Sequence, residues 1–327
     1  MLPYLSRRLL NYLLLLFLAV SLTYLLAATQ LDPRSLYELR NPPIDPASID
    51  ASLTAYNLND KTPVLERYWT WLTGVVTAWD WGQTPFGKSV NDEIGTRVWV
   101  SLRLVTIGSV LGITLGVALG AWTATRQYRV SDRAITLISL IIISTPTLVI
   151  AVVLQILAIQ FNQATGTQFF EFLGETGRHG DGPLAPLFDR LQHLLLPTIT
   201  LSLSGIASYS RIQRNLMLDT LGADYVRTAR AKGLRKGRAL RRHALRTALI
   251  PTGTYFAFTI ATLVLGATFT ELIYGWHGMG IYGVQAITAQ DVNGSVAVAA
   301  FGGVCVLVGA MLSDVLVAAL DPRVRVS

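Results

Sequence analysis

Charge, sulfur and the usual marks of chemistry are scarce in this sequence. Only 14% of its 327 residues are charged, against about 25% in soluble domains, which argues against an ordinary soluble fold. A single cysteine, Cys305, lies in an apolar run. It can form no internal disulfide and no cysteine metal cluster, and it reads as a small hydrophobe in a helix. The four histidines, His179, His193, His243 and His277, fit no zinc spacing, so no metal site is expected. There is no HExxH, no GxSxG and no evident pair of buried carboxylates, so no catalytic residue is named and no enzyme is expected. The lack of GxxxxGK[ST] excludes ATP binding through a phosphate loop.

Apolar sequence is abundant instead. Hydrophobic residues make up 51% of the chain and the mean hydropathy is +0.45, which points to an all-α membrane protein. A bilayer crossing needs about 20 mainly apolar residues. Six runs qualify or nearly qualify: Leu9 to Ala28, Leu104 to Trp122, Ala134 to Ile159, Leu194 to Ser210, Ala248 to Thr270 and Val292 to Ser313. The fourth is short and rich in Ser and Thr, and a re-entrant segment is its rival reading. Its Pro197 is placed in the first turns, where a missing N–H costs little. The first run exceeds the about 7–15 residues of a signal-peptide core and is read as a retained helix.

The charges are sorted by side. Arg7 and Arg8 precede the first run, and Arg126, Arg129 and Arg133 surround Asp132 between the second and third. Residues 211–246 hold eleven basic residues and two acids, Asp219 and Asp224, and the tail adds Arg323 and Arg325. Residues 31–96, by contrast, hold nine acids and five basic residues, and residues 160–193 four acids and two basic. The positive-inside rule then puts both termini in the cytoplasm, with six crossings between them. The formal charge of +7 follows from orientation and attraction to anionic lipid, so no nucleic-acid partner is expected.

The organisation expected is an N-terminal membrane helix at 1–30, an extracytoplasmic loop or small cap at 31–96, a membrane domain at 97–319 with a cytoplasmic loop at 211–246, and a cytoplasmic tail at 320–327. Trp69, Trp71, Trp79 and Trp81 gather in the outer segment, at home in an interfacial helix or folded cap; a lip contacting substrate is the alternative. Gly108, Gly112, Gly116 and Gly120 recur every four residues and form a seam another helix can approach closely, with the partner unspecified. Arg103 is placed to snorkel to headgroups or, less simply, to attract substrate. Pro146 should kink the third run. Glu271 and Asp314 lie near span ends and read as interfacial. With few ionisable groups at membrane depth, motive force is expected from a partner.

In the basic loop, "LGADYVRTARAKG" reads as a short helix from about Asp224 to Lys232. Asp224 could cap its start and Gly233 stop it. "RKGRALRRHALRTALIP" reads as a second basic helix running into the fifth span, with an interruption possible at Pro251. The loop is either a lipid-bound basic surface or a docking helix. Small Ala229, Ala231 and Gly233 favour docking, and a lipid-only role should tolerate enlargement at Ala229.

Here the loop resembles the "EAA" loop of permease subunits in bacterial ABC importers, most closely the dipeptide/oligopeptide permeases of the first, longer-looped type. Arg227, Thr228 and Ala229 stand at the E-A-A positions, Gly233 at the motif glycine, and His243 to Arg246 at the I-x-L-P place. Only Ala229, Gly233 and Leu245 agree with the general motif, but "DYVRTARAKGL", "RHALR" and "ALIP" look like the peptide-permease version. "YLSRRLL", "GATFTELIYGWHGMGIYGVQAI" and "SDVLVAALDPRVR", with Asp321, Pro322 and Arg323, are similar to other parts of that family. The likeness covers about residues 1–30 and 85–327.

The resemblance implies a type I ABC importer permease fold in the bacterial cytoplasmic (inner) membrane. It implies a second homologous permease subunit, two cytoplasmic ATPase domains that hold ATP and Mg, and an extracytoplasmic substrate-binding protein. This chain would bind no cofactor itself. Asp224, Arg227, Thr228, Ala229, Ala231 and Gly233 would form the ATPase-coupling helix. Ser204, Ser208 and Tyr209 are candidates to line a peptide pathway. Glutathione or nickel cargo, or a stand-alone channel or secondary carrier, are the alternatives; the lack of a His or Cys cluster disfavours nickel.

Overall fold

A computed structural model describes residues 2–38, 41–177 and 183–320. His179 and the C-terminal Asp321, Pro322, Arg323 and Arg325 lie outside the described residues. Among those described are α1 (Leu2–Gln30), α2 (Ser35–Glu38), α3 (Pro46–Ala55), α4 (Val64–Ala78), α5 (Val90–Ala124), α6 (Val130–Ser144) and α7 (Thr147–Thr165). Then follow α8 (Ala185–Leu221), α9 (Asp224–Ala231), α10 (Lys236–Ala239), a π-helical turn (Leu240–Ala244), α11 (Leu245–Tyr274), α12 (Met279–Thr288) and α13 (Val292–Leu320). One isolated bridge, Gln83 to Ser89, is the extent of β-pairing among the described residues.

Among the described residues, four helices are long and apolar enough to cross a bilayer: α1, α5, α7 and α13. The fourth expected crossing falls within α8, a single helix of 37 residues. Because that helix begins at Ala185, Pro197 sits well inside it and buried, not in its first turns. The third expected crossing is divided. Thr145 is extended (φ −96°, ψ 125°) and Pro146 caps the start of α7, so Pro146 breaks the run instead of kinking it. The cause is local: proline has no N–H to donate, and its ring drives the preceding residue out of the helical region. Pro251, in contrast, lies inside an unbroken α11.

The chain forms two compact units. One comprises Pro3–Leu102 with His277–Leu307. Its core joins Tyr24, Leu53, Leu58, Trp71, Val90 and Val296, all nearly or fully buried. The segment at 31–96 holds three helices, α2, α3 and α4, with Trp71 and Trp81 in this core and Trp69 and Trp79 exposed. Arg34 ties its turns together through Asp50 at 2.6 Å and Asp60 at 2.6 Å, and Lys61 adds a bond to Asp50 at 2.5 Å. Those cations hold both carboxyls below the usual carboxylate range.

The other unit comprises Arg103–Trp276 and the chain from Val308. Its axis is α8, against which α6, α7 and α11 pack. The glycine seam of α5 also meets α8. A Cβ on Gly108 would lie 2.9 Å from Leu201 Cβ, and one on Gly112 3.2 Å from Gly205 Cα. One on Gly116 would lie 2.6 Å from Tyr209 Cβ and 3.0 Å from Ile206 O, and one on Gly120 would strike Ser210 O and lie 2.9 Å from Arg214 N. The two backbones touch, which in lipid replaces the missing hydrophobic drive with dispersion contact. The hydroxyls of α8 bond inward as its Ser and Thr content requires: Thr200 Oγ1 to Leu196 O and Ser210 Oγ to Ala207 O, both at 3.0 Å. Thr200 and Ser210 also reach Tyr274 OH (2.8 Å) and Ser139 Oγ (3.1 Å).

Three polar residues fare differently from their expectation. Arg103 pairs with Glu175, a protein partner in place of a headgroup. Glu271 is fully buried in the last turn of α11, not interfacial, while Asp314 is half-buried. Cys305 is buried.

Because the seam is backbone against backbone, it cannot relax by turning a side chain. Gly120→Val is expected to destabilise the chain by about 1–3 kcal/mol or more, seen as a lower melting temperature in detergent. Gly302→Ala, with nothing within 4 Å of the added methyl, should shift stability by less than about 1 kcal/mol, upwards if at all. Equal melting for the two variants would contradict the seam.

Candidate functional site

The basic loop holds a helix of two turns, α9, and its boundaries have local causes. Helix α8 ends at Leu221 and Gly222, Ala223 is extended (φ −68°, ψ 145°), and Asp224 is the first helical residue. Asp224 therefore does not cap the helix through its side chain. It lies in the first turn, where its charge suits the positive end of the helix dipole. Its contact with Arg227 is long, 3.9 Å, between side chains 98% and 75% exposed, and contributes little. The stop is sharper. Gly233 has φ +87°, Leu234 N bonds to Ala229 O at 3.2 Å, and Gly233 N bonds to Arg230 O at 3.0 Å. This paired closure needs a left-handed residue, and glycine alone adopts it without a Cβ penalty. Nothing stands within 4 Å of the Cβ position, so Gly233 is required by backbone shape and not by close packing.

The helix has two faces. Val226 and Ala229 are buried, Val226 on a bed of Ala124, Met217, Ala244 and Ala248. These bed residues come from α5, α8, the π turn and α11, so one small helix touches the ends of three long elements. Ala229, buried within its own chain, faces inward, and enlarging it would disturb that inward packing whatever lies outside. It cannot discriminate between lipid and protein partners, as its sequence position suggested. Asp224, Tyr225, Arg227, Thr228, Ala231, Lys232 and Gly233 are exposed. Beyond them Arg235, Lys236, Arg238, Arg241 and Arg242 are exposed as well. The arrangement is a basic, solvent-facing helix on a rigid apolar seat.

Two polar links brace that seat, and sequence reading missed both. Arg214 on α8 grips Asp132 bidentately, Nε to Oδ1 at 2.6 Å and Nη2 to Oδ2 at 2.9 Å. Tyr128 N adds a bond to Asp132 Oδ2 at 3.0 Å. The Asp132 side chain is 3% exposed, and the Arg214 guanidinium beside it holds its carboxyl below the usual carboxylate range. The second link is Thr252 Oγ1 to Gln213 Oε1 at 2.6 Å, between fully or nearly buried residues of α11 and α8. The only hint of the first was a lone acid in a basic connection; its partner lies 82 residues on.

Of the pathway candidates, Ser204 and Ser208 are half-buried on α8, and Tyr209 is 1% exposed, packed on Gly116. A further cluster that spacing concealed is Glu171, Asp189 and His193, whose ligand-type atoms lie within 4.8 Å of one another.

Known proteins share this sequence. A family model described as "Binding-protein-dependent transport system inner membrane component" matches residues 116–326. The chain is 51% identical over 325 residues to the oligopeptide transport system permease protein OppB of Mycobacterium bovis, covering 99% of both chains. It is 32% identical over 299 residues to the oligopeptide transport system permease protein AppB of Bacillus subtilis, covering 90% of each. It is 31% identical over 328 residues to the dipeptide transport system permease protein DppB of Lactococcus lactis, covering 99% of this chain and all of that one. The likeness thus includes residues 31–84.

Removing Arg214 leaves Asp132 buried and uncompensated. Arg214→Met should cost about 3 kcal/mol, and adding Asp132→Asn should recover part of it. Since the folded pKa of Asp132 is depressed, the pair's contribution is present above the unfolded value of about 3.9 and is lost as pH falls through the folded value. Asp132→Asn should remove that part of the acid sensitivity in a pH series of melting temperatures. An unchanged acid limb would contradict the assignment.

Proposed function

The chain belongs to the family of binding-protein-dependent transport system inner membrane components, and on that premise we propose that it is the permease subunit of an ATP-driven importer of peptides. The observation that carries this reading is the likeness along the whole chain to permeases named for oligopeptide and dipeptide transport. It is a transport subunit and not an enzyme.

In this reading the chain crosses the membrane six times with both termini in the cytoplasm: α8 and α11 supply the two crossings beyond the four apolar helices, of which α7 forms the third crossing together with α6. The excess of Lys and Arg in residues 211–246 supports that orientation. The cap at 31–96 then faces outward and receives the substrate-binding protein. A second, homologous permease completes the pathway, and Ser204 and Ser208 line it by offering hydroxyls to peptide backbone. Tyr209 would have to leave its glycine seat to join them.

Helix α9 is the coupling helix. Its exposed residues, Asp224, Arg227, Thr228 and Ala231, seat in one of two ATPase partners, which hold ATP and Mg. Ala229 acts from the buried side of the helix, beside Val226, which fixes α9 to its bed. When the partners close on ATP, displacement of α9 passes to α5, α8 and α11 at once. ATP thereby biases one of two access states, and its hydrolysis releases that bias.

Reconstitution with the second permease, the ATPases and the binding protein tests this. The wild-type assembly should couple ATP hydrolysis to peptide uptake. Gly233→Val forces a branched residue to positive φ, a strain of about 1–3 kcal/mol, so coupled uptake should fall about tenfold or more with membrane insertion intact. Gly233→Asn, which tolerates this conformation better, should recover much of it. Normal uptake by Gly233→Val would remove α9 from the coupling role; uptake by the chain alone, without ATPases, would overturn the importer reading.

A further inference from the structure

Beside the start of α8 lies an open cleft of about 660 Å3, lined by Ile159, Asn162, Gln163, Gln168, Glu171 and His193 among others. His193, on the third turn of α8, is 3% exposed. Its Nδ1 lies 2.9 Å from the backbone carbonyl oxygen of Asp189, one turn earlier. A carbonyl oxygen can only accept, so Nδ1 carries a proton, and it is the neutral ring that presents an Nε2 lone pair. The neighbour of Nε2 is Glu171 Oε2 at 3.7 Å, beyond hydrogen-bond distance. That gap is close to the about 3.4 Å between two ligands of a tetrahedral cation with bonds of about 2.1 Å.

Asp189 completes the cluster. Its Oδ1 lies 3.4 Å from His193 Nδ1, and Gly177 N approaches both carboxylate oxygens at 3.0 Å. A Cβ on Gly177 would fall 2.8 Å from Glu171 Oε2, 2.9 Å from His193 Cε1 and 3.2 Å from Asp189 Oδ1. A side chain at position 177 would therefore require these groups to shift. A histidine oriented by a carbonyl at one nitrogen and open at the other is the arrangement that suits a metal ligand.

We propose that Glu171, Asp189 and His193 bind one divalent transition-metal cation of the zinc type, which staples the chain after α7 to the start of α8. Imidazole with carboxylate favours such an ion over Mg2+, which prefers an all-oxygen shell with several waters. The cleft supplies water to the remaining positions. The site is separate from α9 and does not depend on the transport reading.

The test uses the full chain, purified without a histidine tag and stripped with chelator, with Zn2+ alone as the probe. Wild type should bind one Zn2+ per chain and melt at a higher temperature with it. Glu171→Gln and His193→Gln should each weaken Zn2+ binding about tenfold or more. Glu175→Gln, whose native carboxylate pairs with Arg103, should bind as wild type does. Glu171 is partly exposed, so its variant keeps the test valid if His193→Gln fails to fold. No Zn2+ binding by wild type, equal binding by Glu171→Gln, or an equal response to Mg2+ would each overturn the proposal.

Discussion

Everything in the larger unit leans on the contact between α5 and α8, where four glycines let one backbone lie on another. Apolar side chains gain nothing by leaving lipid for each other, so a helix pair in a membrane must win through density of contact. The seam supplies that density over four turns, from Leu201 to Arg214 on the facing helix. With α8 located by α5, its remaining faces receive α6, α7 and α11. The hydroxyls along α8 can then bond to their own helix and to Tyr274 and Ser139 without facing hydrocarbon.

Where the seam ends, polar links take over. Arg214 both abuts Gly120 and grips Asp132, so the last glycine and the ion pair share one residue. Met217, three positions further, is part of the seat under α9. Packing seam, ion pair and the seat of α9 occupy consecutive turns of a single element, α8. A change in any of them is felt by the others through α8 itself, with no need for a diffuse network.

The features legible in sequence were those with local causes. The four-residue glycine period announced a seam, and Gly233 announced a helix end because a stop of that kind needs a left-handed residue. The identity of the seam's partner was not legible, since nothing in the run from Gly108 to Gly120 names the face it meets. Pro146 was recognised as disruptive, but the extent of the break depended on Thr145 becoming extended. Ala229 was read as an outward docking residue because it is small, whereas it is buried within its own chain: smallness serves contact on either face of a helix. The Asp132–Arg214 pair was invisible because helix packing joins residues 82 positions apart; in the trio, Asp189 and His193 stand one turn apart on α8, but Glu171 reaches them only through the path of the segment before α8. Glu271 was misread because proximity to a span's end does not reveal whether a helix end is itself covered.

The π turn at Leu240–Ala244 has a geometric meaning for the route from the basic loop into the membrane. A π turn is an α-helix carrying one surplus residue. That residue advances the azimuth of everything beyond it by about 100°. Leu245 N bonds to Leu240 O, so the strand of hydrogen bonds survives while the phase of the helix changes. The basic residues below and the buried Ala248 and Thr252 above therefore share one rod but follow different angular registers. Motion applied at the loop enters α11 as torsion as well as thrust, and the turn is where the two would be converted.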